Sequence, residues 1–120
     1  MDDVGAMDVV EVWDAGLRAG DWTRARSVLA DDATYVNADG TTACVTGDEI
    51  VELMRSYKGT LPDVQVVEWH EVGDHVVARL RQPAWGEDTD WFQVLTVTDA
   101  RIVRLADHPT ADTAEAAASA

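Results

Sequence analysis

The chain has 120 residues, 47% of them hydrophobic, with 9 basic and 23 acidic side chains and a formal net charge of −14. That length and apolar content suit one domain with its own core and exclude a disordered chain, while so acidic a surface argues against nucleic-acid phosphates and anionic membranes as partners. The single cysteine, Cys44, excludes an intrachain disulfide and a cysteine-built zinc site.

Residues 6–19 carry Ala6, Val9, Val10, Trp13 and Leu17 at helical spacing, and Gly20 ends that helix. Asp21 caps a shorter helix through Trp22, Ala25, Val28 and Leu29, which Asp31 and Asp32 end. Ala33 to Asn37 reads as a short strand closed by the turn at Asp39 and Gly40, and Thr41 to Val45 as another. Thr46 with Glu49 three residues later forms a capping box. The helix it opens has Ile50, Leu53, Met54 and Tyr57 on one side and stops near Gly59. After Pro62 a β-rich run reaches Glu71, Gly73 and Asp74 turn it, and Val76 to Gln82 returns antiparallel. Residues 84–90 form a polar connection. Two alternating apolar runs between residues 91 and 109 then flank a short turn, the pattern of a hairpin whose second strand ends on Asp107 and His108. The core spans 6–109, and 110–120 is a short helix or a frayed tail of a single 1–120 domain.

Helices first and an antiparallel meander last make an α+β arrangement, in which a strongly bent sheet folds over the helices and leaves a cone-shaped cavity. Four segments carry a resemblance: the helix pair from Val10 through Trp13 and Gly20 to Trp22; the stretch Leu29 to Tyr35; Val45 to Ile50, opening the third helix; and the terminal strands with Ala100 to Arg104. In this order and spacing the chain resembles the NTF2-like superfamily, and within it the SnoaL-like proteins. The resemblance covers residues 6 to about 117 and implies the cone fold and a homodimer. Phe92 and Val94, read as exposed apolar groups on the outer sheet face, fit that assembly. It leaves function open, because the superfamily hosts isomerases, cyclases, hydrolases and non-catalytic binding domains.

Where the ketosteroid isomerases of this fold carry an oxyanion tyrosine, a general-base aspartate and a protonated aspartate, this chain has Trp13, Asn37 and Gln93. An amide does not accept a proton near neutral pH, so the usual isomerase mechanism is not expected. Asn37 and Gln93 are instead candidate hydrogen-bond donors to a ligand oxygen, with shaping of the turn before Asp39 and Gly40 the competing role for Asn37. Similarity to SnoaL-type cyclases makes Asp107 the acid/base candidate. Strand alternation puts Val103, Leu105 and Asp107 on one face and His108 on the other. The competing role for Asp107 is a cap on the segment starting at Pro109 and Thr110. Trp13, Tyr35, Met54, Tyr57 and Trp91 are the aromatic and sulfur-bearing candidates for the cavity wall. The Asp-Arg-Asp network of limonene-epoxide hydrolases finds only Arg79 and Arg104 as candidate arginines, with no supporting spacing.

His70 and His75 are too isolated for a metal site, and no cofactor is expected. The acidic N-terminus lacks a basic region followed by an apolar one, and no apolar run approaches the roughly 20 residues that span a bilayer, so a cytoplasmic location is expected. Two function classes follow. One is a cofactor-independent enzyme of cyclase or isomerase type acting on a small, mostly apolar molecule. The other is a non-catalytic ligand-binding or accessory domain.

Overall fold

The computed structural model describes residues 5–60, 64–82 and 90–119, with only the backbone described at 58–60. Its elements are α1 (Ala6–Ala19), α2 (Trp22–Ser27), β1 (Leu29–Val36), β2 (Thr42–Cys44), α3 (Gly47–Thr60), β3 (Gln65–Val72), β4 (His75–Arg81), β5 (Trp91–Thr98), β6 (Arg101–His108) and α4 (Ala111–Ser119). The expected polar connection at 84–90 lies outside the described residues except for Asp90.

The capping residues act where the sequence places them. Gly20 adopts a left-handed conformation (φ 69°) that closes α1. An Asp21 carboxylate oxygen accepts the Arg24 amide at 3.1 Å to open α2. At α3, the Thr46 hydroxyl accepts the Glu49 amide at 3.1 Å, while the Glu49 carboxylate reaches back to the Val45 amide at 3.1 Å. Gly16 lets α1 and α2 touch. A Cβ there would stand 2.9 Å from the Ala25 amide nitrogen and 3.1 Å from its Cβ, and Ala25 is fully buried. Gly16→Val is therefore expected to lower unfolding free energy by about 1–3 kcal/mol through overpacking, measured by urea titration; an unchanged midpoint would contradict this contact.

The second helix is shorter than its apolar spacing suggests. It ends at Ser27, and Leu29 to Asp32 are strand rather than helix. The cause is a distant partner: the Ile102 amide donates to the Val28 carbonyl at 2.7 Å, and Leu29 pairs with Ile102. The register shifts between Leu29 and Thr34, and the exposed Asp31 and Asp32 sit in that irregular stretch. Asp31 and Asp48 both accept hydrogen bonds from the Arg26 guanidinium at 2.7 Å, tying α2 to α3.

The six strands form one sheet in the order β2-β1-β6-β5-β4-β3. The β1–β6 pair is parallel and the other four are antiparallel. Register shifts at Val66/Glu68 and at Thr96/Val97 mark bulges, which bend strands and increase twist. The second bulge corrects an expectation about faces. Val97 pairs with Ile102 and Thr96 with Arg104, so Val103 is the extra residue. Ile102, fully buried, joins Leu105 in the inner core, whereas Val103 is half-buried and outside that cluster.

The inner face holds the main core, where α1 supplies Val9, Val10 and Trp13, α3 supplies Ile50, and the sheet supplies Leu29, Leu95, Ile102 and Leu105. A second cluster lies on the opposite face. There α4 lays Ala114 and Ala118 over Val77 and Val94, with Phe92 packed alongside. The tail is thus a nine-residue helix, started by the Thr110 hydroxyl accepting the Thr113 amide at 3.2 Å. It also overturns the reading of Phe92 and Val94 as exposed: Val94 is buried and Phe92 half-buried beneath the chain's own C-terminal helix. Among the described residues no helix is long and apolar enough to cross a membrane.

Candidate functional site

A cavity of about 460 Å³ opens between α1, α3 and the concave face of the sheet. That volume falls within the range of about 300–1,000 Å³ usual for small-molecule sites. The buried Val10, Trp13, Leu80, Leu95 and Leu105 line it, and Arg18, Ala38, Tyr57 and Val64, which remain exposed, mark where it meets solvent.

Three adjacent strands bring the polar end together. Gln93 on β5 is directly opposite Asp107 on β6, and Tyr35 on β1 pairs with Leu105, two residues before Asp107. The Tyr35 hydroxyl donates to Asp107 Oδ2 at 2.6 Å, and Gln93 Nε2 donates to Asp107 Oδ1 at 3.0 Å. Gln93 Nε2 also lies 3.4 Å from the Tyr35 oxygen. Each carboxylate oxygen thus has one neutral donor and keeps acceptor capacity toward the cavity. Thr110 starts α4, leaving Asp107 to the inner face rather than to a helix cap.

Burial, and next the negative charge of Asp107, push the Tyr35 phenol far above its ordinary range. Tyr35 therefore stays a proton donor to the carboxylate at any pH at which the fold persists. The sign for stability follows. In the unfolded chain the phenol loses its proton above about pH 10, while the folded chain keeps it, so stability falls as pH rises past that point. In a Tyr57→Phe background, where Tyr35 is the remaining tyrosine, no phenolate absorbance is expected before the protein unfolds in alkali. A rise in absorbance with the fold intact would contradict this placement.

Of the residues singled out in the sequence, Trp13, Tyr35, Met54 and Tyr57 line the cavity, as do Trp91, Gln93 and Asp107. Asn37 does not. Its side-chain amide donates one N–H to the Thr41 hydroxyl at 3.0 Å, and its backbone closes the turn through Thr41 and Gly40, which is the turn-shaping role. Arg79 is not a cavity residue either. Together with Arg81 it binds Asp90, with Nε–oxygen distances of 2.8 and 2.7 Å, and Arg104 is exposed. Sequence reasoning missed Trp22, Trp69 and Gln82, all of which line the cavity, and it treated Tyr35 as a wall rather than as a hydrogen-bond donor. Among the described residues no group of three His, Cys, Asp or Glu side chains is placed to hold a metal ion.

The model of the SnoaL-like domain matches residues 9–105. The chain belongs to the SnoaL-like domain family. Solved structures agree on the fold. An NTF2-like protein from Cytophaga hutchinsonii is 14% identical with a TM-score of 0.72, covering 93% of this chain and 96% of its own. A proposed polyketide cyclase from Sinorhizobium meliloti is 19% identical with a TM-score of 0.71, covering 88% and 100%. An epoxide hydrolase from M. tuberculosis resembling limonene-epoxide hydrolase is 21% identical with a TM-score of 0.66, covering 86% and 80%. No curated protein matches the chain by sequence. At these identities the structural likeness establishes the NTF2-like α+β cone, and the SnoaL-like domain of this chain takes that form.

Proposed function

We propose that this SnoaL-like domain binds a small, mostly apolar organic molecule in its cavity and exchanges a proton at a carbon next to a carbonyl, with Asp107 as acid/base. One observation carries the reading: a carboxylate held by two neutral donors at the end of a cavity whose other walls are largely apolar. A carboxylate fixed by hydrogen bonds inside an apolar pocket is a positioned base, and positioning removes the entropic cost of bringing base and carbon together. Tyr35 orients it. Gln93, whose contact to Tyr35 is long at 3.4 Å, is the donor best placed to turn toward a ligand oxygen that gains negative charge.

The reading is tested by deuterium exchange. The protein is incubated in D2O with a panel of fused-ring ketones, and label incorporation is followed by mass spectrometry. Protein-dependent incorporation into at least one ketone is expected. Binding of these ketones with no incorporation above buffer would leave a non-catalytic ligand-binding domain as the function. The homodimer implied by the family belongs to the same proposal, and light scattering at twice the chain mass is its expected result.

A further inference from the structure

The cavity combines an aromatic wall with a carboxylate that has no counter-ion among the described residues. Four of the chain's five tryptophans, Trp13, Trp22, Trp69 and Trp91, line it. The hydrogen bonds to Asp107 among the described residues come from Tyr35 and Gln93, both neutral. Arg18 is the one basic side chain among the described lining residues, and its Nε donates to Asp14 at 2.8 Å. Among the described lining residues the charged groups are Asp14 and Arg18, which pair with each other, and Asp107.

We propose that this cavity also accepts an organic ammonium ion with an apolar body, its nitrogen paired with Asp107 and its charge set against the tryptophan rings. Three physical arguments converge. A carboxylate withdrawn from water is stabilised most by a charge-assisted hydrogen bond, and no described protein cation supplies one. Indole faces attract a cation within about 6 Å of the ring centre, and more strongly once it is desolvated. The net charge of −14 draws cations toward the protein and repels anions before any contact is made. A neutral ligand of the same shape gains the apolar contacts and a neutral hydrogen bond at most, and a carboxylate ligand meets repulsion from Asp107. This inference rests on the reading that the cavity receives an apolar molecule, and an ammonium ion paired with Asp107 occupies the acid/base, so such a ligand is bound without proton exchange.

The test is a series matched in shape and differing in charge: 4-biphenylmethylammonium, 4-biphenylmethanol and 4-biphenylacetate. Affinities are read from tryptophan fluorescence and confirmed by calorimetry, for the whole chain and for Asp107→Asn. The ammonium ion is expected to bind about tenfold or more tighter than the alcohol, with the carboxylate weakest, and the ammonium-to-alcohol ratio is expected to fall to about one in Asp107→Asn. An alcohol or carboxylate that binds as tightly as the ammonium ion overturns the inference and leaves the apolar-cavity reading standing. An ammonium preference that survives Asp107→Asn also overturns it, because the counter-ion would then lie elsewhere. Failure of all three to bind the folded protein overturns both readings. If the variant does not fold, the wild-type series alone decides.

Discussion

Asp107→Asn is expected to cut protein-dependent deuterium exchange into a responsive ketone by about 10²–10⁴-fold, the usual share of a positioned acid/base. The amide keeps an oxygen that accepts from Tyr35, so the hydrogen-bonded frame survives in part. Its other atom is an NH2 facing the Gln93 donor, so a modest loss of stability, about 1–2 kcal/mol, accompanies the change. The outcome that matters is the separation of the two effects. Exchange should collapse in a protein that still unfolds cooperatively. A rate within about threefold of the parent would remove Asp107 from the chemistry, since that is far below what such a group contributes. Tyr35→Phe is the companion variant. It removes one of the two donors to the carboxylate, leaves the cavity shape almost unchanged, and is expected to reduce exchange less than Asp107→Asn does.

The second large effect concerns the fold. Ile102→Ala is expected to destabilise the protein by about 2–5 kcal/mol, because Ile102 is fully buried in the main core beside Leu105. The neighbouring Val103→Ala should fall below about 1.5 kcal/mol, because that side chain is half-buried and outside the core cluster. Simple strand alternation back from Asp107 ranks the two the other way round. Urea unfolding of both variants therefore tests the bulge at Thr96/Val97 directly, and a larger loss at Val103 would contradict the observed register.

The parts of this molecule that were legible in the sequence are those set by local periodicity. Helical spacing, the capping pair Thr46 and Glu49, and the alternation that sends Gln93 and Asp107 to one face all act over a few residues. The features that escaped depend on distant partners. Tyr35 meets Asp107 across 72 residues of chain, through a parallel β1–β6 pairing that no local pattern announces. The same pairing converts Leu29 to Asp32 from an apparent helix end into strand. The bulge at Val103 is invisible because an extra residue leaves the apolar count unchanged while flipping the face. Asn37 carried two readings because a turn signal stands beside it, and its amide bonds Thr41 within that turn. The alanine-rich tail read as optional, yet Ala114 and Ala118 pack on Val77 and Val94 and give the outer sheet face an intramolecular cover.

These observations give the cavity two functional ends. The inner end, built on β1, β6 and β5, fixes a carboxylate between two neutral donors. The outer end, near Arg18 and Tyr57, meets solvent. The sheet sets the distances, and helices and sheet together supply the apolar walls, an arrangement that suits the proposed proton exchange through positioning.

The most direct measurement is a crystal structure of the protein with a fused-ring ketone that shows exchange or binding. The account predicts the ring system in the cavity among the tryptophans, with the carbon next to its carbonyl within about 3.5 Å of an Asp107 carboxylate oxygen, the separation of a near-attack geometry. A ligand seated outside the cavity, or inside it with Asp107 against an unreactive edge of the ring, would contradict it.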